Sequence, residues 1–215
     1  MHGFFEKLFK SKVSLSSQVG KEAKVASTPS LTASSSRSAS PQHQFLLNSP
    51  VRWTRQYDVF VCHSREDSET EEAERLVSFL EASPRNLRCF LTHRDSFPGG
   101  AIPTELCQAV QNSHIKVLLI TPHFLTDEWC TFVMHQALAD GPMSNRVIPL
   151  VQNLLPSQYP QELKVFSYTD LNRNPDHCYA LVNRTVLQYL KDSVQNEKTL
   201  QCSNESSVNC VGDSI

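Results

Sequence analysis

The sequence has little of what marks a membrane-spanning or a secreted protein. No apolar run approaches the ~18–20 residues of a membrane span. Charged residues interrupt every apolar patch of residues 1–12, so we expect no secretory signal there. The seven cysteines are odd in number and form no CxxC pair. This favours the reduced, mostly buried thiols of an intracellular protein over a disulfide framework.

Motifs for nucleotide or metal chemistry are missing as well. The chain contains no P-loop, no GxGxxG and no HExxH pattern, and its cysteines show none of the paired spacing typical of zinc sites. Thr121 and Pro122 stand at the end of the predicted third strand, where a phospho-acceptor domain would need an aspartate. We therefore predict no catalytic residue, no cofactor and no metal site.

The net charge of −2 hides an uneven distribution. Residues 1–53 carry seven basic and two acidic residues, a net charge of +5, whereas residues 54–215 carry 13 basic and 20 acidic residues, a net charge of −7. A basic arm before an acidic domain predicts anionic partners for the arm alone. Nucleic acid is not an expected partner of the domain, because phosphate neutralisation needs clustered lysine and arginine.

Four zones follow one another along the chain. Residues 1–13 are aromatic and basic, and residues 14–52 are rich in serine, alanine and proline without a periodic apolar stripe. We predict a membrane-binding segment over the first zone and a disordered linker over the second. Residues 53–192 alternate strand-like and helix-like patterns and form the predicted domain, while residues 193–215 turn polar and form a predicted flexible tail.

The first zone has the pattern of an interfacial amphipathic helix. Its apolar residues share one side of a helical turn and a half: Phe4, Phe5, Leu8 and Phe9. Its lysines lie on the other side or at its edge: Lys7, Lys10 and Lys12. Aromatic side chains enter the headgroup boundary and lysines meet anionic lipid, so we predict that this arm binds membranes. A tail with chance aromatics and a mitochondrial presequence stay open as alternatives, although lysine dominates over arginine here.

Strand-like and helix-like segments alternate through the third zone. The predicted strands are short apolar segments: Tyr57–Cys62, Leu87–Leu91, Ile115–Ile120, Arg146–Val151 and Val165–Thr169. Between them lie apolar residues at helical spacing, such as Ala73, Leu76, Val77 and Leu80. A final helix is predicted near His177–Asp192. Such alternation predicts a parallel sheet with helices on both sides.

Two segments at the ends of the first two strands carry a family resemblance. Residues 57–67 read YDVFVCHSRED and residues 88–100 read RCFLTHRDSFPGG. Together, at this spacing, they resemble the first two sequence boxes of Toll/interleukin-1 receptor (TIR) domains, and the resemblance covers about residues 54–192. The third family box usually contains Phe-Trp, where this chain has Phe166-Ser167-Tyr168. The resemblance is closest to the membrane-sorting adaptors of the family, through four segments: PGGAI, ELCQA, VLLITPHFL and YPQEL.

This resemblance implies a flavodoxin-like α/β fold, with a central parallel sheet of about five strands flanked by helices and with disordered N- and C-terminal segments. It also implies a non-enzymatic adaptor of Toll-like receptor signalling, in the cytoplasm and at the inner face of the plasma membrane, that leads to NF-κB and inflammatory cytokine activation. The expected partners are Toll-like receptor TIR domains, a downstream adaptor with TIR and death domains, and a phosphoinositide-bearing membrane surface. TIR contacts tend to run head to tail, which predicts self-association into oligomers or filaments.

The segment after the second strand is the candidate docking loop. Its predicted binding residues are Arg94, Asp95, Phe97, Pro98, Gly99 and Gly100. Proline fixes φ and glycine allows positive φ, so the loop can hold a sharp shape with an apolar tip that loses little entropy on docking. The resemblance implies that this loop is the family's homotypic docking element. An ordinary connection, in which Arg94 and Asp95 merely pair with each other, stays open as the alternative.

Three further interaction sites are predicted outside the loop. Glu66 and Asp67 form an acidic patch for a basic surface on another TIR domain, or else a solvated helix start favoured by the macrodipole. Tyr57 and Tyr159 match family positions for phosphorylation by a tyrosine kinase. Purely structural roles, at the core edge for Tyr57 and in a loop for Tyr159, stay open as the alternative. Residues 160–162 approach a motif that TRAF-type ubiquitin ligases bind.

Two rival functions stay open beside the adaptor. Some TIR domains cleave NAD with a glutamate that stands four residues after a tryptophan. Here Trp129 is followed at that spacing by Val133, so the carboxylate that would stabilise developing positive charge is missing. The other rival is an inhibitory TIR decoy.

Overall fold

Five segments form one parallel sheet in the computed structural model of the chain, which describes residues 41–139 and 146–208. The strands are β1 (Tyr57–Cys62), β2 (Cys89–Leu91), β3 (Ser113–Ile120), β4 (Val147–Val151) and β5 (Thr169–Asp170). They lie in the order β2-β1-β3-β4-β5, and each neighbouring pair is parallel. The predicted parallel sheet of about five strands is confirmed.

Helices flank this sheet on both faces. Within the described residues the α-helices are α1 (Pro41–Leu47), α2 (Asp67–Glu81), α3 (Thr92–Asp95), α4 (Ile102–Gln111), α5 (Pro122–Thr126), α6 (Glu128–Leu138) and α7 (Pro175–Val208). Short 3-10 helices occupy Pro50–Thr54, Pro156–Gln158 and Gln161–Leu163. In this part of the chain no helix combines the length and hydrophobicity that crossing a bilayer requires.

Side chains of β1 alternate between two cores. Val59 and Val61 belong to a core that α2 and α7 cover, whereas Phe60 and Cys62 belong to one that α4 and α6 cover. Every residue of β3 is buried, as expected where helices cover both faces of a parallel sheet. Each large apolar side chain buried there contributes about 1.5–3 kcal/mol, so the two cores on β1 and β3 hold the layers together.

The fifth strand lies later in the chain than predicted. Val165, the first residue of the predicted strand, is 69% exposed, and only Thr169 and Asp170 pair with β4. The apolar residues before them belong to a turn instead. The backbone N–H of Phe166 donates to the carbonyl of Leu163 at 2.9 Å, and Leu163 is fully buried. Their spacing of three residues is that of a 3-10 turn and not that of a strand.

The folded region extends past both predicted limits. Residues 41–52 are folded although the predicted linker covered 14–52, because Leu46 and Leu47 of α1 are buried. At the other end α7 continues to Val208, well into the predicted tail of 193–215. A polar sequence extends a helix readily once the first turns are anchored, since propagation costs far less than nucleation. Residues 1–40, with the predicted membrane-binding segment, lie outside the described residues.

A buried charge cluster anchors the segment before β1. The fully buried carboxylate of Asp58 accepts from Nη2 of Arg52 at 2.6 Å and from Nη2 of Arg88 at 2.8 Å. Arg52 also donates to the carbonyls of Leu47 and Asn86, at 2.9 and 2.8 Å. Burial alone raises the pKa of Asp58, but the hydrogen bonds from the two arginines outweigh it and hold that pKa below its ordinary value. The carboxylate therefore joins α1, β1 and β2.

Asp58→Asn should lower the free energy of unfolding by about 3–5 kcal/mol at neutral pH, because it leaves buried Arg52 without its counter-charge. Urea unfolding measures this. Since the pKa of Asp58 is lowered in the folded state, its contribution is present above the unfolded carboxyl pKa of ~3.9 and is lost as the pH falls through the folded value. The difference in the free energy of unfolding between wild type and Asp58→Asn should therefore become smaller in acid.

The matched control is Asp67→Asn, which removes an exposed carboxylate and should change the free energy of unfolding by less than ~0.5 kcal/mol. An Asp58→Asn protein that unfolds like the control at pH 7 would contradict the anchoring role of Asp58.

Candidate protein-binding site

Two loops meet at one edge of the sheet. Val61 of β1 is paired with Leu91 of β2, so the carboxyl ends of these parallel strands lie side by side. The chain leaves β1 through residues 63–66 and, after α3, continues through residues 96–101. The sheet thus brings the predicted acidic patch and the predicted docking loop together at the edge where α/β sheets commonly bind their ligands.

Arg94 and Asp95 brace the base of the docking loop. Arg94 donates to both carboxylate oxygens of Glu81, at 2.9 and 3.0 Å, and to the carbonyl of Cys89 at 2.8 Å. Asp95 accepts from Arg94 at 2.9 Å and from the backbone N–H of Leu91 at 2.7 Å. Hydrogen bonds to Asp95 and then Glu81 raise the pKa of Arg94. The two residues do pair with each other, and the pair also fixes the loop to α2 and β2.

The tip of the docking loop is exposed and partly apolar. Phe97 is 78% exposed, and Pro98 and Gly99 beside it are exposed as well. The backbone N–H of Gly100 donates to the carbonyl of Phe97 at 3.1 Å, which closes a tight turn. Gly99 lies at φ +86°, where a side chain would be strained. A Cβ at Gly100 would meet the carboxylate of Glu105, the flexible end of a side chain, so Gly99 is the stricter requirement.

The acidic patch lies at the start of α2. Glu66 and Asp67 are exposed, and the side chain of Glu66 does not cap the helix. Ser64 fixes this end instead, because its hydroxyl accepts from the backbone N–H of Glu66 at 3.4 Å and donates to the carboxylate of Glu69. Glu69 is buried and also lies 3.0 Å from Nδ1 of His123. Sequence reasoning missed Glu69, which holds the two exposed acids in place.

A cavity of about 420 Å³ opens between the two loops and α6. Val133 forms part of its wall and is 1% exposed, so an aliphatic side chain occupies the position of the glutamate expected in NAD-cleaving relatives. Among the described residues that line the cavity, Asp127 supplies the one carboxylate. That carboxylate caps α6 by accepting backbone N–H groups of Trp129 and Cys130, at 2.8 and 3.0 Å.

Two imidazoles form another part of the cavity wall. The rings of His63 and His93 meet edge to face, with centroids 5.4 Å apart, and Nε2 of His93 lies 2.9 Å from the carboxylate of Glu74. Burial lowers the pKa of His63, which keeps this ring neutral near pH 7. A neutral imidazole offers one donor and one acceptor, and it does not replace the missing carboxylate at Val133.

Tyr57 lies beneath the docking loop. It shares a small groove with Asp95 and Phe97, and its ring packs edge-on against Phe90 with centroids 5.2 Å apart. Burial and the nearby charge of Asp95 raise the pKa of Tyr57. The structure thus brings this predicted phosphorylation position to the loop, a proximity that the sequence did not indicate.

Tyr159 lies after β4 and away from the docking loop. Its hydroxyl donates to the carbonyl of Leu163 at 3.3 Å, and its ring contacts Tyr168 with centroids 5.0 Å apart. Burial raises the pKa of Tyr159 to about 12. Residues 160–162, the predicted ligase-binding segment, lead into the 3-10 turn that Leu163 anchors. Phosphorylation and ligase binding at this segment stay predictions.

Known proteins resemble the chain over this domain. The sequence model of the TIR domain family matches residues 59–184. The chain is 50% identical to the human Toll/interleukin-1 receptor domain-containing adapter protein over 141 residues, which cover 65% of this chain and 62% of that protein. It is 28% identical to human Toll-like receptor 6 over 113 residues, which cover 48% of this chain and 14% of the receptor.

A solved structure shares the fold. A metazoan TIR-STING receptor from C. gigas matches with a TM-score of 0.51 and 23% sequence identity, over 63% of this chain and 40% of that chain. The match to the human adapter spans less than two thirds of that protein. Because the family model matches more than half of the sequence, the chain belongs to the TIR domain family.

Proposed function

We propose that this chain is a non-enzymatic adaptor of Toll-like receptor signalling. It bridges receptor TIR domains to a downstream adaptor with TIR and death domains, and so leads to NF-κB and inflammatory cytokine activation. The 50% identity with a human adapter over 62% of that protein, and the weaker similarity to Toll-like receptor 6, support this role. Val133 at the position of the expected glutamate supports an adaptor without NAD-cleaving activity.

The exposed tip of the docking loop carries the proposal. An aromatic side chain that is 78% exposed, as Phe97 is, gains a large buried area when a partner covers it. Arg94 and Asp95 hold the loop base in place, so little further ordering is needed on binding. Such pre-organisation lowers the entropic cost of association. Phe97 is therefore the apolar anchor in our proposal, and Arg94 and Asp95 position it.

The acidic patch supplies a second, complementary contact. Glu66 and Asp67 are exposed at the same edge of the sheet as the loop, where they can meet a basic surface of another TIR domain. Complementary charge at the rim of an interface selects partners and speeds association more than it adds affinity. A contact between unlike surfaces that does not close propagates into a chain of subunits, so we propose that the domains assemble into oligomers or filaments on a receptor.

The N-terminal arm selects the place of assembly in this proposal. Its aromatic residues and lysines over residues 4–12 fit a reversible attachment to phosphoinositides at the inner face of the plasma membrane. The rest of the population stays in the cytoplasm. A tyrosine kinase that acts on Tyr57 or Tyr159, and a TRAF-type ubiquitin ligase that binds residues 160–162, are the further partners that we propose.

Phe97→Ala should weaken binding to a receptor TIR domain about thirtyfold, because a buried aromatic anchor is worth about 2 kcal/mol or more. Pro98→His should abolish receptor-driven signalling, because histidine does not fix φ as proline does. Isothermal titration measures the first effect and a transcription reporter the second. Circular dichroism and melting temperature should stay those of the wild type for both variants.

Leu200→Ala is the matched control, since Leu200 is also a largely exposed apolar residue but lies on α7. It should bind and signal like the wild type. Unchanged signalling by a well-folded Pro98→His protein would remove the docking role of the loop.

Replacing Lys7, Lys10 and Lys12 together with alanine should reduce partition onto phosphoinositide vesicles by about a hundredfold, because each lysine contributes ~1 kcal/mol near an anionic surface. In cells the variant should move to the cytosol. Vesicle sedimentation and fluorescence microscopy measure these effects. A variant with Arg65, Lys164 and Arg173 replaced by alanine removes equal charge from exposed positions that follow β1, β4 and β5, and it should remain at the membrane. Membrane retention of the arm variant would refute the anchor.

A further inference from the structure

Four arginine residues and an exposed tryptophan lie in the segments that lead into β1 and β2. We define this arginine face by five residues: Arg52, Trp53, Arg55, Arg85 and Arg88. Arg88 donates to the backbone carbonyl of Arg52 at 2.8 Å, and Arg52 donates to the carbonyl of Asn86, in the turn that carries Arg85, at 2.8 Å. Arg55 donates to the carbonyls of Gln111 and Ser113, just before and at the start of β3. These contacts place the guanidinium groups of Arg52, Arg55 and Arg88 near the amino end of β1, and that of Arg85 lies over the ring of Phe79 near the end of α2.

This face carries surplus positive charge. The two segments that form it, residues 41–57 and 82–89, contain these four arginines and no acidic residue. Arg52 and Arg88 share the single carboxylate of Asp58, so their pairing with it leaves one positive charge. Arg85 donates to the backbone carbonyl of Phe79. A hydrogen bond to a carbonyl leaves the guanidinium charged.

Trp53 stands at the surface among these charges. Trp53 is 61% exposed. The guanidinium carbons of Arg88 and Arg52 lie 4.4 and 5.6 Å from the centroid of its ring. Cation–π contact holds the indole in place without burying it. Arg52 is buried, so Arg88 is the cation beside the indole that reaches solvent. An exposed indole beside a cation suits a membrane–water interface, where the apolar ring enters the headgroup region and the cation meets phosphate.

The chain enters the domain beside this face. Nε2 of His43 lies 2.9 Å from the carbonyl of Pro84, the residue before Arg85, so the first described residues lie next to the same turn. Residues 1–40 precede them and include five lysines. An arm held at a membrane would therefore deliver the arginine face to the same surface at high effective concentration.

We propose that the arginine face is a second membrane contact, which docks the domain on an anionic bilayer with Trp53 in the headgroup region. The proposal rests on the membrane attachment proposed above and adds an orientation to it. Residues 41–215 carry 14 basic and 20 acidic residues, a net charge of −6, so an anionic surface repels the domain as a whole. Presenting the arginine face reduces that repulsion within the short range of membrane fields. It also places Glu66 and Asp67, at the other end of β1, away from the bilayer.

Intrinsic fluorescence tests the contact directly. The chain has two tryptophans, Trp53 and Trp129, so the full-length Trp129→Phe variant reports on Trp53 alone. With vesicles of phosphatidylserine and phosphatidylcholine, its emission should move to shorter wavelength and its quenching by acrylamide should fall. With pure phosphatidylcholine vesicles neither should change. The Trp53→Phe variant, which reports on Trp129, should show no shift with either vesicle.

The outcomes of this experiment distinguish membrane binding by the arginine face from membrane binding by the N-terminal arm. Sedimentation with anionic vesicles while the Trp53 emission stays unchanged would overturn the face and leave the arm proposal standing. A Trp53 shift that persists undiminished when Lys7, Lys10 and Lys12 are replaced would refute the arm and support the face. A shift that depends on protein concentration without lipid would show instead that a second copy of the chain covers Trp53, and would overturn the proposal.

Charge substitutions give an independent readout. In the Trp129→Phe background, Arg85→Gln should weaken vesicle binding about fivefold, the effect of one charge near an anionic surface. Arg85→Lys keeps the charge and should bind like its parent, which separates electrostatic attraction from the hydrogen bond that Arg85 donates to Phe79. Arg173→Gln removes an exposed arginine beyond the carboxyl end of β5 and should have no effect. Equal losses of vesicle binding for Arg85→Gln and Arg173→Gln would contradict a localised face.

Discussion

The architecture around β1 depends on one buried carboxylate. Asp58 is completely inaccessible and accepts hydrogen bonds from Arg52, which precedes the sheet, and from Arg88, which precedes β2. Removing a charge from water costs several kcal/mol, and this cost is offset only where the partners satisfy the carboxylate fully. Here two guanidiniums and the backbone N–H of Arg88 do so. The position of the first segment, of β1 and of β2 is therefore set by the same group.

The consequence reaches the docking loop at the other end of β2. Because β2 has only three residues, its attachment at Arg88 and the brace made by Arg94 at the loop base act on the same short strand. Arg94 binds Glu81 at the end of α2, so the loop is fixed both to the sheet and to a helix. A tip held from two sides can keep Phe97 in water without collapsing onto the core. The contacts of Arg88, and those of Arg94 at the base of the loop, thus keep the ring of Phe97 exposed.

Sequence patterns predicted the centre of this framework better than its edges. The strand at Ile115–Ile120 could be placed because its apolar run is continuous, as burial on both faces requires. The two-residue β5 leaves no comparable pattern, and the apolar residues near Phe166 follow the period of a turn. The sequence of residues 41–52 predicts a linker because its apolar cluster, Phe45–Leu47, is too short to show a period.

At the candidate site, too, the features that depend on local sequence could be predicted, and the contacts between distant residues could not. Proline and two glycines after β2 were enough to predict a sharp loop, since their backbone preferences are local. The brace could not be predicted, because Glu81 stands 13 residues before Arg94 in sequence and no local pattern joins them. Glu69 was hidden among exposed acids, although it lies four residues before Ala73 on the apolar side of the helix. The helical period therefore indicated that Glu69 is buried, although its charge suggested an exposed residue.

The distribution of charge connects the two proposed interactions. Along β1 the arginines lie before its first residue, and the exposed acids Glu66 and Asp67 lie after its last. A domain with opposite charges at its two ends takes a preferred orientation near an anionic surface, because one end is attracted while the other is repelled. The repelled end is the one that offers the acidic patch to a partner. Membrane attachment and binding through the acidic patch therefore do not compete for the same surface, and the first would favour the second by fixing how each domain is presented to its neighbours.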